Sequence, residues 1–432
     1  MLIKWDLRQK TGRKGGSIKR FQKNIKKKVR KKVKIRKPDY YDTFVCTADQ
    51  CPMTCCQEWK IGVDDETNKR WKALQPPTGV HPKRKNLSLY TGRKDGDRVI
   101  ALNREHQCPF LNEQRLCRLV LEYGDSCLSE TCRIFPREIH RFADQNEYFL
   151  MPSCPAVIDL LQKYGAAPYL EMERQELDHA AQTPCAERKE PANAKQKQDG
   201  AEQGEREMLD PVLAAVRKLF AGWMRRTEYT PETNFLHLFY LALDLRKQKQ
   251  LSLESMQEYD SPALQRELAD AIAAVPFDPE AGFEERNELF LDLTVNYREQ
   301  GMYREELEAA IERAETISEG AEDKQFEAAF APYRELMRSF LTAELESDCL
   351  LPGGTLDDMI MHLEWIALEY AALRQYLYLQ WAEAKTLTYE MVRTCIVVIC
   401  RMTGYEEEDI REYLENSFEQ LIWDWGYLRL IL

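Results

Sequence analysis

The sequence lacks any run of eighteen uninterrupted apolar residues, so no stretch reads as a membrane-spanning helix. Its basic start is not followed by an apolar segment and a small-residue cleavage site, which leaves no secretion signal to read. A Gly-rich strand-to-helix turn with a downstream acid is also missing, and GRKGG at 12–16 lies in a basic tail. That excludes the usual dinucleotide-binding fold. No repeat of fixed period gives support to a solenoid. The C-x3-C-x2-C spacing of radical iron–sulfur enzymes is absent too, because Cys55 is followed at once by Cys56.

What is present is globular material: 432 residues, 44% of them hydrophobic, enough for two or three domains with cores. Charge is unevenly spread. Residues 1–37 hold seventeen Lys or Arg against the single acid Asp6, within a total of −11. The rest of the chain is therefore strongly acidic, repels phosphate backbones and attracts basic partners, so nucleic acid is not an expected partner. Thirteen cysteines without an export signal face reducing thiol pools, which favours metal ligation over disulfides and places the chain in the cytoplasm.

The expected fold is mainly α: a small irregular, metal-stabilised, cysteine-rich N-terminal domain followed by an all-helical C-terminal domain. Residues 1–34 alternate basic and apolar types and read as a disordered basic extension. With no methionine between Met1 and Met53, a non-standard start near Val33 is the alternative. Residues 35–177 form the cysteine domain, and 178–207, nearly free of large apolar residues, the polar linker. Residues 208–432 form the helical domain. There Leu209, Val212, Leu213, Val216, Leu219 and Phe220 make one apolar stripe. Further helices are expected at about 233–247, 261–275, 284–300, 302–317, 323–346, 355–383, 387–402 and 406–421.

Chemistry concentrates in the cysteines. FVCTADQCPMTCCQEW supplies Cys46, Cys51, Cys55 and Cys56, close enough to close a loop around an ion at little entropic cost. CPFLNEQRLC, CLSETCRIFPR and MPSCP supply Cys108, Cys117, Cys127, Cys132 and Cys154. Soft thiolates favour Zn²⁺ or an iron–sulfur cluster, and spacing does not choose between them. The adjacent Cys55 and Cys56 diverge and can serve different atoms or centres; whether the two clusters pool their ligands stays open. A purely architectural zinc site is the plainer alternative. His81, His106 and His140 read as ordinary surface or core residues, and Cys185, Cys349, Cys395 and Cys400 as inert thiols. Phe44 and Trp59 either shield a metal or simply pack.

These motifs carry a likeness. The C-x4-C-x3-C-C run before a tryptophan, CPFL with a cysteine nine positions on, and TCRIFPR resemble zinc- or iron-chelating cysteine-cluster proteins. PDYYDTF before the first cysteine, MPSCP after the last and the HLEWIALEY segment extend the resemblance to flagellin lysine-N-methylases. The resemblance implies methyl transfer from S-adenosylmethionine to lysine ε-amines of flagellin, with an essential iron–sulfur cluster, [4Fe–4S], or zinc as the alternative. It implies as ligands Cys46, Cys51, Cys55, Cys56, Cys108, Cys117, Cys132 and Cys154, and leaves Cys127 outside the pattern. The cysteine motif alone also fits a structural zinc module or a metal or cluster carrier without methyltransferase activity.

A lysine ε-amine, with a pKa of about 10.4, must lose its proton before it attacks a methyl sulfonium. Tyr40, Tyr41, Glu58, Glu364 and Tyr370 are the candidate bases, each of which also reads as an ordinary surface or core residue.

Overall fold

The computed structural model describes residues 32–94, 96–175, 206–317, 324–418 and 423–432. The expected linker therefore lies almost wholly outside the described residues, as do residues 1–31 and Cys185.

The N-terminal part is mixed α/β and not irregular, which corrects the expectation. Strands β1 (Lys32–Pro38), β4 (Arg137–Arg141), β5 (Gln145–Leu150) and β6 (Tyr169–Gln175) form one sheet in the order β4-β5-β1-β6. β1 pairs parallel to β5, with Arg36 beside Glu147, and antiparallel to β6, with Ile35 beside Met172. The expected boundary at residue 34 falls inside the run KVKIRKP, whose first three residues the sequence assigns to the basic extension. The run becomes a strand because partners more than a hundred residues away cover it, a long-range pairing that local pattern does not reveal. β2 (Thr91–Lys94) and β3 (Asp97–Ile100) form a separate hairpin whose turn holds Gly96 at φ 83°. Short helices α1 (Asp65–Trp71), α2 (Arg118–Tyr123), α3 (Glu130–Ile134) and α4 (Pro155–Tyr164) complete this part.

The second half is helical throughout its described residues. Its elements are α5 (Pro211–Met224), α6 (Pro231–Lys247), α7 (Leu253–Tyr259), α8 (Pro262–Ala274), α9 (Pro279–Glu299) and α10 (Arg304–Ala314). There follow α11 (Lys324–Phe330), α12 (Arg334–Asp348), α13 (Leu356–Ala384), α14 (Tyr389–Met402), α15 (Glu407–Ser417) and α16 (Trp425–Ile431). The single helix expected over 323–346 is two, because Pro332 sits in the 3-10 turn at Ala331–Tyr333 between α11 and α12. The short α7 and α16 escaped the periodicity. Among the described residues no helix is long and apolar enough to cross a membrane.

α12 and α13 are buried on nearly all sides and form the axis of this half. A capping box starts α13: the Asp358 carboxylate accepts the Thr355 N–H at 2.8 Å, and Thr355 Oγ1 accepts the Asp358 N–H at 3.3 Å. The main apolar core runs through both halves, since Tyr40, Phe44, Val157 and Ile158 join one cluster with Trp223, Phe239, Phe290 and Leu363. A smaller second core, built on Ile61, Trp71, Tyr90, Phe110 and Leu119, includes Cys108 and Cys127.

A buried ionic chain crosses between sheet and helices. Arg217 of α5 grips Glu147 of β5 with two bonds, at 2.7 and 2.6 Å. Arg36 of β1 pairs with Glu346 of α12, which also accepts from Arg225 at 2.6 Å. Removing one member of such a set strands a buried charge and costs about 3–5 kcal/mol. The network therefore fixes the docking of sheet on helices.

Candidate metal centre

The thiols are placed by turns and helix starts. Cys117 and Cys154 precede the first residues of α2 and α4, Cys132 lies inside α3, Cys55 and Cys56 occupy a turn, and Cys46, Cys51 and Cys108 lie in irregular loop backbone. Two backbone bonds tie the first group to the second: the Cys108 N–H donates to the Cys56 carbonyl at 2.7 Å, and the Glu58 N–H to the His106 carbonyl at 2.8 Å. The isolated bridge Gln57–Gln107 lies between them. Two sequence-distant clusters thus share one region.

Electrostatics place Cys55 at the middle of this region. The Cys56 thiol donates to Cys55, and this bond, with the nearby Arg401 charge, outweighs burial and brings the Cys55 thiol down to about 7. Cys56 is pushed up, first by donating that bond and then by burial and the neighbouring Cys108 and Cys117. Burial, with Cys55 and Cys117 nearby, raises Cys132 to about 12. Burial also raises Cys154 to about 12, with Cys51 and Cys55 adding to it. Cys46, Cys108 and Cys117 are raised for the same first reason, and each feels Cys55. Cys127 is raised by burial and has Cys117 as its thiol neighbour.

Burial alone disfavours thiolates, yet the backbone is arranged to favour them. The Ala48 N–H points at the Cys46 sulfur, Phe110 at Cys108, Leu119 and Val120 at Cys117, and Ala156 and Val157 at Cys154. Such N–H donors stabilise anionic sulfur and tune metal–thiolate centres. The donor set therefore suits a thiophilic metal. Among the described residues, however, no group of three or more His, Cys, Asp or Glu side chains is placed so as to hold a metal ion.

The helical half reaches into the region. Arg401 of α14, itself buried, donates to the carbonyls of Met53, Thr54 and Ser153, so it braces the backbone beside Cys55 and Cys154. Glu58 accepts the Tyr303 N–H at 2.9 Å. Trp59 donates to the Cys55 carbonyl at 2.6 Å and packs on Phe135, while Phe44 lies under the Arg137 guanidinium. Arg401 was not picked out from the sequence, since an arginine near a helix end carries no signal of what it will meet.

The other candidates scatter. His81 is exposed, and His106 stands at the rim near Gly301. His140 is buried, with Nε2 3.2 Å from Glu138 and Nδ1 without a partner. Cys349 and Cys395 are buried among helices. Burial raises Tyr40 and Tyr41, the latter to about 12, and Tyr370 donates to Glu232. Glu364 differs: burial lifts its carboxyl to about 7 and its Oε2 has no partner.

A second constellation was not anticipated. Glu344 and Asp348, one helical turn apart on α12, meet Glu369 of α13 and Cys400 of α14 beneath Glu138 and His140 of β4. Burial raises Asp348 to about 6 and Glu369 to about 7, and Thr403 Oγ1 donates to Glu369 at 2.5 Å. The i,i+4 spacing of Glu344 and Asp348 was the available signal.

Residues 217–431 match the model of the FliB lysine N-methylase C-terminal domain. The chain belongs to the lysine N-methylase family. Its similarity to curated relatives is confined to one stretch. It is 29% identical over 138 residues to the flagellar biosynthetic protein FliU of Salmonella muenchen, covering 29% of this chain and 76% of that protein. It is equally similar to the lysine-N-methylases of Salmonella typhimurium and Salmonella choleraesuis, but there the stretch spans only 32% of the relatives' length. No solved structure matches.

Proposed function

We propose that this chain is a protein-lysine N-methyltransferase acting on flagellin in the cytoplasm, with S-adenosylmethionine as methyl donor. The observation that carries this reading is the match of nearly the whole helical half to a lysine N-methylase domain. In the reaction the lysine nitrogen lone pair forms a bond to the methyl carbon, the carbon–sulfur bond breaks, and its electron pair stays on sulfur. The proton that the ε-ammonium must first give up needs an acceptor in the chain. Of the five bases read from the sequence, the tyrosines are held protonated by burial and Glu58 is engaged by the Tyr303 N–H. Glu364, with a carboxyl near neutrality and an unpartnered oxygen, suits that task best.

Cys46, Cys51, Cys55, Cys56, Cys108, Cys117, Cys132 and Cys154 would hold an iron–sulfur cluster, [4Fe–4S], or zinc. When bound, that group would tie the thiolates of the two clusters into one rigid unit. The N–H donors on four of these sulfurs support the assignment. The chain's own contribution is to brace the cysteine loops through Arg401 and to exclude water with Trp59 and Phe135.

Mass spectrometry of flagellin co-expressed with the chain tests the reading. Increments of about 14 Da per methyl on lysines are expected; anaerobically purified, metal-loaded protein that adds none to its own organism's flagellin in the presence of the donor sinks it.

A further inference from the structure

A cavity of about 370 Å³ opens between α9, α11, α13 and α16, away from the cysteines. One wall is aromatic: Phe283 and Phe326 both meet the Tyr378 ring edge-on, at 5.1 and 5.3 Å between centroids. The opposite side is mainly cationic, lined by Arg286, Arg374 and Arg429 together with the Glu327 carboxylate, with Lys324 at the mouth.

These cations are not equivalent. Arg374 is compensated, since it bonds Glu232 at 3.2 Å and also pairs with Glu327. Arg286 has only a long bond, 3.4 Å, to the Ile431 carbonyl. Burial and the like charge of Arg374, only partly offset by the Glu327 carboxylate, lower the Arg286 guanidinium to about 10. Arg429 lies flat over Phe277 at 4.6 Å, its Nε has no partner, and burial lowers it as well. Among the described residues neither Arg286 nor Arg429 forms an ion pair with a carboxylate. Gly282 holds this wall in place: a Cβ there would come within 2.5 Å of the Leu430 carbonyl, so only glycine lets α16 lie this close to α9.

A guanidinium kept from water without a counter-charge is unfavourable, and an anion seated against it removes the penalty. Two cations without a carboxylate partner, Arg286 and Arg429, with Lys324 at the mouth, call for more than one negative charge, which a phosphate has and a single carboxylate lacks. The volume suits a small molecule and not a polymer. The cationic side repels a sulfonium, so the methyl donor is not the natural occupant.

We propose that this cavity binds a phosphate attached to a planar ring, of the size of a nucleoside monophosphate, with the ring on the Phe283–Phe326–Tyr378 wall and the phosphate between Arg286 and Arg429. The site is independent of the methyltransferase reading. Isothermal titration of the full chain with AMP, adenosine and inorganic phosphate tests it. AMP should bind about tenfold or more tightly than either fragment, and Arg286→Gln should weaken AMP about tenfold while leaving adenosine unchanged. Arg429→Gln provides the same test if the Arg286 variant does not fold. AMP binding no tighter than phosphate overturns the proposal as an adventitious anion only, and so does AMP binding that both variants leave intact.

Discussion

Arg401 Nη1 donates to the backbone carbonyl of Thr54 at 3.1 Å, across 347 residues of sequence. The same guanidinium holds the carbonyls of Met53 and Ser153, at 3.1 and 3.0 Å. One side chain of α14 thus sets the backbone on either side of the cysteine region, and its charge helps to lower the Cys55 thiol.

Replacing Arg401 with Met should therefore loosen the cysteine loops without unfolding the helices. Three lost bonds to buried carbonyls amount to roughly 3 kcal/mol. Metal content and reactivity of the thiols toward a disulfide reagent report the effect: metal should fall and thiol exposure rise, with the helical circular dichroism kept. Unchanged thiol reactivity would show that the brace is only packing.

Metal and local fold should be coupled around Cys55 and Cys132. Thiolate sites contribute on the order of 10 kcal/mol in small domains. Cys55→Ser and Cys132→Ser are expected to lose metal and melt earlier, whereas Cys349→Ser, buried among helices, keeps its metal. Elemental analysis after anaerobic purification decides the matter, and a visible absorption band separates iron–sulfur from zinc. Full metal and native melting in either cluster variant would remove that residue from the ligand set.

Glu364 gives a pH dependence of definite sign. Burial raises its carboxyl from 4.5 to about 7, so between those values the folded chain keeps a proton that the unfolded chain has lost. Stability from this group falls as pH rises through that window, by about 3 kcal/mol in all. Glu364→Gln should stabilise the protein at pH 8 relative to wild type, and much less so at pH 5. Equal shifts in melting temperature at both pH values would refute the assignment. Loss of methylation in the same variant, with flagellin binding retained, tests its role as proton acceptor separately.

β1 should be indispensable although the chain before it is not. A protein starting at Lys32 keeps the strand between β5 and β6 and the Arg36–Glu346 pair. One starting at Asp39 loses both, exposes two strand edges and strands Glu346 beside Arg225 alone. Soluble yield and melting temperature compare the two. Equal behaviour would mean that the sheet tolerates the loss of an inner strand.

By itself the sequence determined the helical half and the clustering of the cysteines along the chain. Helix periodicity is local, and a stripe such as Val216, Leu219 and Phe220 reads the same in any context. Short cysteine spacings likewise show that thiols lie near one another before any fold is known. Tertiary structure alone decided that KVKIRKP is a strand, that Arg401 braces the cysteine loops, and that Glu344, Asp348 and Glu369 share one buried cluster. Each of these depends on a partner tens to hundreds of residues away. Burial, not residue type, gives such side chains their charge state, and burial exists only once distant segments have packed.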